Sequence, residues 1–250
     1  MITEEFVGLS NYAEVLGDPY FWKVFGNTIV YAATTVIGQI ALGLLVAGML
    51  TKIGKGRGFF STTFYIPVIT SWAVVAVVWK MMLGSDSYSF FNSILLQTNL
   101  ISSPISWLGA PLTAKLSIIA LCIWKGVGWA MIIFLAALQT IPERFYEMAK
   151  VDGLGVLGRF RKVTFPLISP VVGMVSALLL IGAFNIFPQV YVLTGGGPLG
   201  STESLLTLQY REAFSFLHFG YASAMGYLLM PIILFVSILQ IKAISKRVQY

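Results

Sequence analysis

Few side chains in this 250-residue chain that can bind or react sit inside apolar sequence. Lys125 stands between Trp124 and Trp129, and Asn185, Gln189 and Tyr191 surround Pro188. Asn185 and Gln189 fall four residues apart, on one face of a continuous helix. Their amides both donate and accept, as a hydroxyl-bearing solute requires, and a ring such as Phe187 offers a flat apolar face for stacking. The same amides could bridge neighbouring helices, so both readings stand. Lys125 is the one charge well inside an apolar run, where an uncompensated Lys costs roughly 2.5 to 3.5 kcal/mol. It either borders a solute path or snorkels to the outer surface. Gly126 and Ala130 are spaced for close helix contact.

Catalysis finds no footing. The Gly-x-Ser-x-Gly and His-Glu-x-x-His patterns are absent. Cys122 and His218 each stand alone, so the chain can build neither an internal disulfide nor a multi-histidine metal site. Gly48 to Gly54-Lys55-Gly56 approximates a phosphate loop, but its spacer is five residues and Gly56 replaces the Ser or Thr that would hold magnesium. Gly153-Leu-Gly-Val-Leu-Gly158 fits the dinucleotide fingerprint literally, yet charged amphipathic sequence precedes it where a buried strand is needed.

The elements that position these residues lie in a membrane. The chain is 57% apolar and only 10% charged, with a mean hydropathy of +0.84, against roughly 25% charge in ordinary globular domains. Its net charge of +6 comes from too few residues to build a face that tracks phosphates, which excludes nucleic acid as a partner. Apolar runs predict five transmembrane helices, Gly26 to Leu50, Phe60 to Leu83, Leu116 to Leu138, Leu167 to Leu193 and Phe219 to Ile241. Residues 87 to 114 are also uncharged, but Ser, Asn, Gln, Thr and Pro interrupt them, so an interfacial segment is expected there. Eleven Lys and Arg follow the first and third helices or lie in the tail: Lys52, Lys55, Arg57, Arg144, Lys150, Arg159, Arg161, Lys162, Lys242, Lys246 and Arg247. Basic residues accumulate on the cytoplasmic side, which puts the N-terminus outside and the C-terminus inside. Glu4, Glu5, Glu14 and Asp18 in the external segment 1 to 24 agree with that. The start lacks the basic and apolar regions of a cleavable signal peptide. No Asp or Glu lies in any predicted span, which argues against a proton- or sodium-coupled secondary transporter.

The segment from 140 to 166 is longer than a connection between neighbouring helices needs. Thr140-Ile-Pro-Glu143 has the spacing of a capping box, and Pro142 suits a first helical turn. Phe145, Met148, Ala149 and Asp152 recur at helical spacing, and Gly153 permits a turn that a side chain would strain. Phe160 and Val163 then resume an apolar face before Pro166. A helix, a sharp turn and a second helix outside the membrane are predicted, with a headgroup-resting connector as the plainer alternative. An exposed carboxylate such as Glu147 pairs more specifically with an Arg on another protein than with lipid.

Glu147-Met-Ala149, three residues, Gly153, nine residues and Val163-Thr-Phe-Pro166 resemble the Glu-Ala-Ala loop of binding-protein-dependent ABC importer permeases, in identical spacing. Met148, Val163 and Phe165 replace the usual Ala, Ile and Leu. Phe6-Val-Gly-Leu-Ser-Asn-Tyr12, Tyr65-Ile-Pro67, Thr194-Gly-Gly-Gly-Pro198 with Ser201-Thr202, and Gly220-Tyr-Ala-Ser-Ala224 narrow the resemblance to carbohydrate permeases of the maltose type, on the MalF-like side. Relatives usually carry one more helix before the Phe6 segment, and many have Asp where Pro188 stands. The resemblance implies an all-α integral membrane fold of type I importer permeases, with the transmembrane domain at 25 to 250, in a prokaryotic cell membrane. It implies no catalysis and no cofactor on this chain, ATP and Mg being bound by a partner ATPase. The implied partners are a second permease, two ATP-binding subunits, an external solute-binding protein and the lipid bilayer. Glu147, Ala149, Asp152, Gly153 and Pro166 would then form the coupling loop, with Ala149 keeping the docking face flat and Pro166 restarting the fourth span. Lys125, Asn185, Phe187, Gln189 and Tyr191 would line the path of a carbohydrate or a related polyol or glycerol phosphate.

Overall fold

The computed structural model describes residues 6–245, with side chains as far as Ile238. Glu4, Glu5, Lys246 and Arg247 lie outside the described residues. The described chain is helical: α1 (Ser10–Gly17), α2 (Pro19–Thr51), α3 (Arg57–Ile69), α4 (Trp72–Met82), α5 (Phe90–Gln97), α6 (Pro111–Gln139), α7 (Glu143–Val151), α8 (Val156–Arg159), α9 (Phe165–Phe184), α10 (Pro188–Leu193), α11 (Leu205–Phe214) and α12 (Phe219–Ser245). Four helical stretches, α2, α6, Val156–Phe184 and α12, are long and apolar enough to cross a bilayer, and α3 with α4 qualify together as a broken fifth. The 33 residues of α2 reach about 50 Å at about 1.5 Å per residue, well past a hydrocarbon core of roughly 30 Å.

Two predicted spans are not continuous. The run from Phe60 to Leu83 breaks at Thr70, which is extended at φ −75° and ψ 145°. Pro67 inside α3 already removes one ladder donor just ahead of that end. The run from Leu167 to Leu193 breaks at residues 185 to 187, where Phe187 leaves helical geometry and Pro188 begins α10. A proline suits a first helical turn and not an interior, and here it starts a new helix. Helix α11 was not expected. Its N-terminus carries the capping box, with the Ser204 side chain accepting from Thr207 N–H.

The chain divides into two compact units, Met1–Ala32, Trp72–Ile119 and Ala183–Phe235 in the first and Ala33–Ser71, Ala120–Gly182 and Val236–Tyr250 in the second. In the first, Val15, Phe21 and Val24 pack with Leu205, Leu208 and Met225. A polar network ties the turn after α10 to the start of α2. Glu203, buried, pairs with Arg211 at 2.8 Å and accepts from the Tyr20 hydroxyl. Asn27 donates to the Glu203 carbonyl at 3.1 Å and accepts from Lys115 Nζ at 2.8 Å. Lys80 Nζ donates to the Val192 carbonyl at 2.9 Å, at the C-terminal end of α10, where a cation offsets the helix dipole.

In the second unit, Ala47 and Leu50 of α2, Met131 and Phe134 of α6, and Ile168, Val172 and Val175 of α9 form the core. Helices α2 and α6 meet through small residues, since a Cβ on Gly43 would lie 2.9 Å from that of Ala130 and one on Gly126 would strike the Gln39 amide. Gln39 Nε2 in turn donates to the Cys122 carbonyl at 2.9 Å. Gly126 and Ala130 thus serve close packing. A Cβ on Gly128 would collide with the Phe64 carbonyl oxygen, which brings α3 hard against α6.

Candidate functional site

The loop from 140 to 166 lies wholly in the second unit. Helix α7 starts at Glu143, with Pro142 as its N-cap and no capping side chain. The expected capping box is not formed, because Thr140 is still in the last turn leaving α6 and its hydroxyl donates back to the Ala137 carbonyl at 2.8 Å. The C-terminal end follows the sequence reading closely. Gly153 has φ +72°, its N–H reaches the Lys150 carbonyl at 3.0 Å, and the Leu154 N–H reaches that of Ala149 at 2.9 Å. These two bonds around a left-handed glycine make a Schellman turn, which satisfies carbonyls that the helix end would otherwise orphan.

Beyond the turn the structure corrects the expectation of a separate second helix. Helix α8 passes through a π turn at Phe160–Thr164 straight into α9. Pro166 therefore sits inside the first turn of α9 and restarts nothing. Its missing N–H falls where the wider π hydrogen bonding returns to the α pattern, so no interior bond is lost to it. The Tyr146 hydroxyl meets Thr164 Oγ1 at 3.2 Å and ties α7 to this turn.

Glu147 and Asp152 are exposed, and beside them Met148, Val151, Val156 and Leu157 present apolar side chains outward, Val151 at 88%. Ala149 was expected on that docking face. It is 3% exposed and faces inward, where its small side chain lets α7 lie close to its support. An exposed carboxylate beside uncovered aliphatic groups is the composition of a protein contact, apolar at its centre and specified by one charge. The glycine-rich run from Gly153 to Gly158 spans the turn and α8, with α7 ahead of it in place of a strand.

The polar residues near Pro188 belong to the first unit. Asn185 sits in the break between α9 and α10 and is exposed, so it does not share a continuous helix face with Gln189. Gln189 is buried, and its Oε1 has no hydrogen-bond partner among the described residues. Phe187 and Tyr191 stack with ring centroids 5.2 Å apart. Sequence reading missed what they join: Tyr210 lies 5.1 Å from Phe187 and 5.4 Å from Tyr191, and Phe214 extends the series 5.0 Å beyond. Phe187, Gln209, Tyr210, Phe214, Phe219 and Ser223 line a cavity of about 330 Å³. The signal available was the spacing of Tyr210 and Phe214, one helical turn apart on α11.

Lys125, in the second unit, is 3% exposed and does not snorkel. Its ammonium donates to the Val68 carbonyl at 3.0 Å, next to the end of α3, where backbone acceptors lack helical partners and the dipole is negative. The lysine thus caps a broken helix from its neighbour.

Residues 39–250 match the family model described as the binding-protein-dependent transport system inner membrane component. The chain is similar to a probable ABC transporter permease protein, YurN, of Bacillus subtilis, 34% identical over 239 residues covering 95% of this chain and 82% of that one. It is also similar to the trehalose/maltose transport system permease protein MalF of Thermococcus litoralis, 35% identical over 237 residues covering 95% of this chain and 79% of the relative. Its fold matches the crystal structure of a bacterial ABC transporter involved in the import of the acidic polysaccharide alginate, with a TM-score of 0.86 at 22% identity, over 99% of this chain and 86% of that one.

Proposed function

We infer the working role of this chain from the family to which it belongs, the binding-protein-dependent transport system inner membrane components: it is the permease subunit of an ATP-driven carbohydrate importer. It is a multi-pass protein of a prokaryotic inner membrane and a transport component, not an enzyme. The carbohydrate assignment rests on relatives named for sugars and is supported by the uncharged aromatic cavity with its amide and hydroxyl groups.

The observation that carries the mechanism is the outward face of the loop, where exposed Glu147 and Val151 flank a rigid Schellman turn. On our reading this face is cytoplasmic and docks on a separate ATP-binding subunit, which holds ATP and Mg. Glu147 makes the charged contact, Gly153 sets the angle between α7 and α8, Ala149 supports the face from behind, and Asp152 lies at its edge. Because α8 runs without interruption into α9 through the π turn near Pro166, a push on the loop is delivered along a membrane helix. The solute path passes Asn185, Gln189 and the rings of Phe187 and Tyr191, while Lys125 positions α3. A second permease, two ATP-binding subunits and an external solute-binding protein complete the importer.

The experiment is ATP hydrolysis by the reconstituted importer with loaded binding protein. Glu147→Lys is expected to abolish substrate-stimulated hydrolysis while membrane insertion is retained. Undiminished stimulation in that variant would remove Glu147 from the contact.

A further inference from the structure

A cavity of about 930 Å³ lies in the second unit where α2, the end of α6 and the coupling loop meet. Its lining is of two kinds. Ala41, Leu44, Leu45 and Met49 of α2 give an apolar wall, inside a stretch apolar enough to cross the bilayer. Lys52, Lys150 and Arg159 give a basic one, with Glu143 as the one carboxylate in the lining. Arg57 also lines the cavity, but its guanidinium is occupied by the carbonyls of Leu50, Thr51 and Ile53. Lys52, Lys150 and Arg159 form no ion pair among the described residues. Arg159 Nε is buried with no hydrogen-bond acceptor among the described residues, and a buried guanidinium N–H is costly to leave unmet.

We propose that this groove is a binding site for an anionic phospholipid, its phosphate held by Arg159, Lys52 and Lys150 and an acyl chain laid along the α2 wall. Charge decides among the occupants. Four cations against one carboxylate demand a negative partner, which disfavours the chain's own tail with Lys242, Lys246 and Arg247. The apolar wall belongs to a stretch of α2 long and apolar enough to cross the bilayer, which suits hydrocarbon better than an ATPase subunit outside it. A phosphate joined to hydrocarbon satisfies both walls at once, as in other basic pockets between membrane helices. The site touches α7 through Glu143, Tyr146 and Lys150 and α8 through Arg159, so the lipid would brace the coupling loop against α2.

The test is native mass spectrometry of the assembled importer in mild detergent, titrated with phosphatidylglycerol and with phosphatidylcholine of the same acyl chains. Phosphatidylglycerol is expected to bind about tenfold more tightly. Lys52→Gln with Arg159→Gln should erase that preference, and Ala41→Trp should weaken binding by filling the groove while leaving every charge in place. Arg161→Gln with Lys162→Gln, exposed cations outside the cavity, should change nothing. Equal affinity for the two lipids in the unmodified importer would overturn the site and point to a second permease covering the groove. Equal losses in both double variants would reduce the effect to diffuse surface charge, and displacement of the lipid by inorganic phosphate alone would point to a soluble anion. Either result would also overturn the proposal.

Discussion

Gly153 is the residue on which the geometry of the proposed coupling loop turns. Its φ of +72° lies where a side chain on an L-residue costs about 1 to 2 kcal/mol, and the two bonds that close α7 depend on it. Gly153→Val is therefore expected to lower the thermal stability of the purified protein and to uncouple hydrolysis from transport. Asn, which tolerates the left-handed region, should lose less at the same position, and equal losses for the two would contradict a backbone cause. This position was legible in the sequence, because a glycine after an amphipathic run announces its own conformation. Lys125 was legible only as an anomaly. Its burden inside a span was clear from charge alone, but its solution, a carbonyl near the end of a broken helix 57 residues earlier, needs the tertiary contact. Ala149 misled for a related reason, since helical spacing does not say which face of a short helix meets the protein.

At the scale of elements, hydropathy located the four described helical stretches that are long and apolar enough to cross a bilayer and the bent pair that qualifies as a fifth, because the bilayer imposes one length and one composition on all of them. It did not locate the breaks. Pro67 and Pro188 were visible, yet a proline inside an apolar run is compatible with a kink or with a complete stop. Thr70 and Phe187 take the second course. That outcome changes the proposed solute path. Asn185 and Gln189 do not form one amide face, and the aromatic series reaching Tyr210 and Phe214 on α11 supplies the larger surface. Two variants separate these contributions in uptake assays of labelled sugar. Replacing Asn185 and Gln189 together by Leu should impair uptake more than assembly. Tyr210→Ala should raise the KM for uptake by up to about tenfold, the worth of one or two aromatic contacts. Normal uptake in both variants would place the path elsewhere.

For the whole molecule, the family was legible in one loop and a few flanking turns, where the residues from Glu147 to Pro166 keep the register of the permease motif. Identity with the two relatives named above is 34 to 35%, and residues that face lipid need only be apolar. The buried ties in the first unit, Tyr20 and Arg211 on Glu203, left no such signal, because their partners lie far apart in the chain. The central claim is that the α7 to α8 turn touches the ATP-binding subunit, and cross-linking tests it most directly. In an importer whose buried Cys122 is replaced by Ser, Val151→Cys should form a cross-link to the ATP-binding subunit that changes in yield with ATP. Tyr88→Cys, 95% exposed in the segment between α4 and α5, should form none. A Val151→Cys that reacts only with a membrane-impermeant reagent added from outside, and never with the ATPase, would contradict the account.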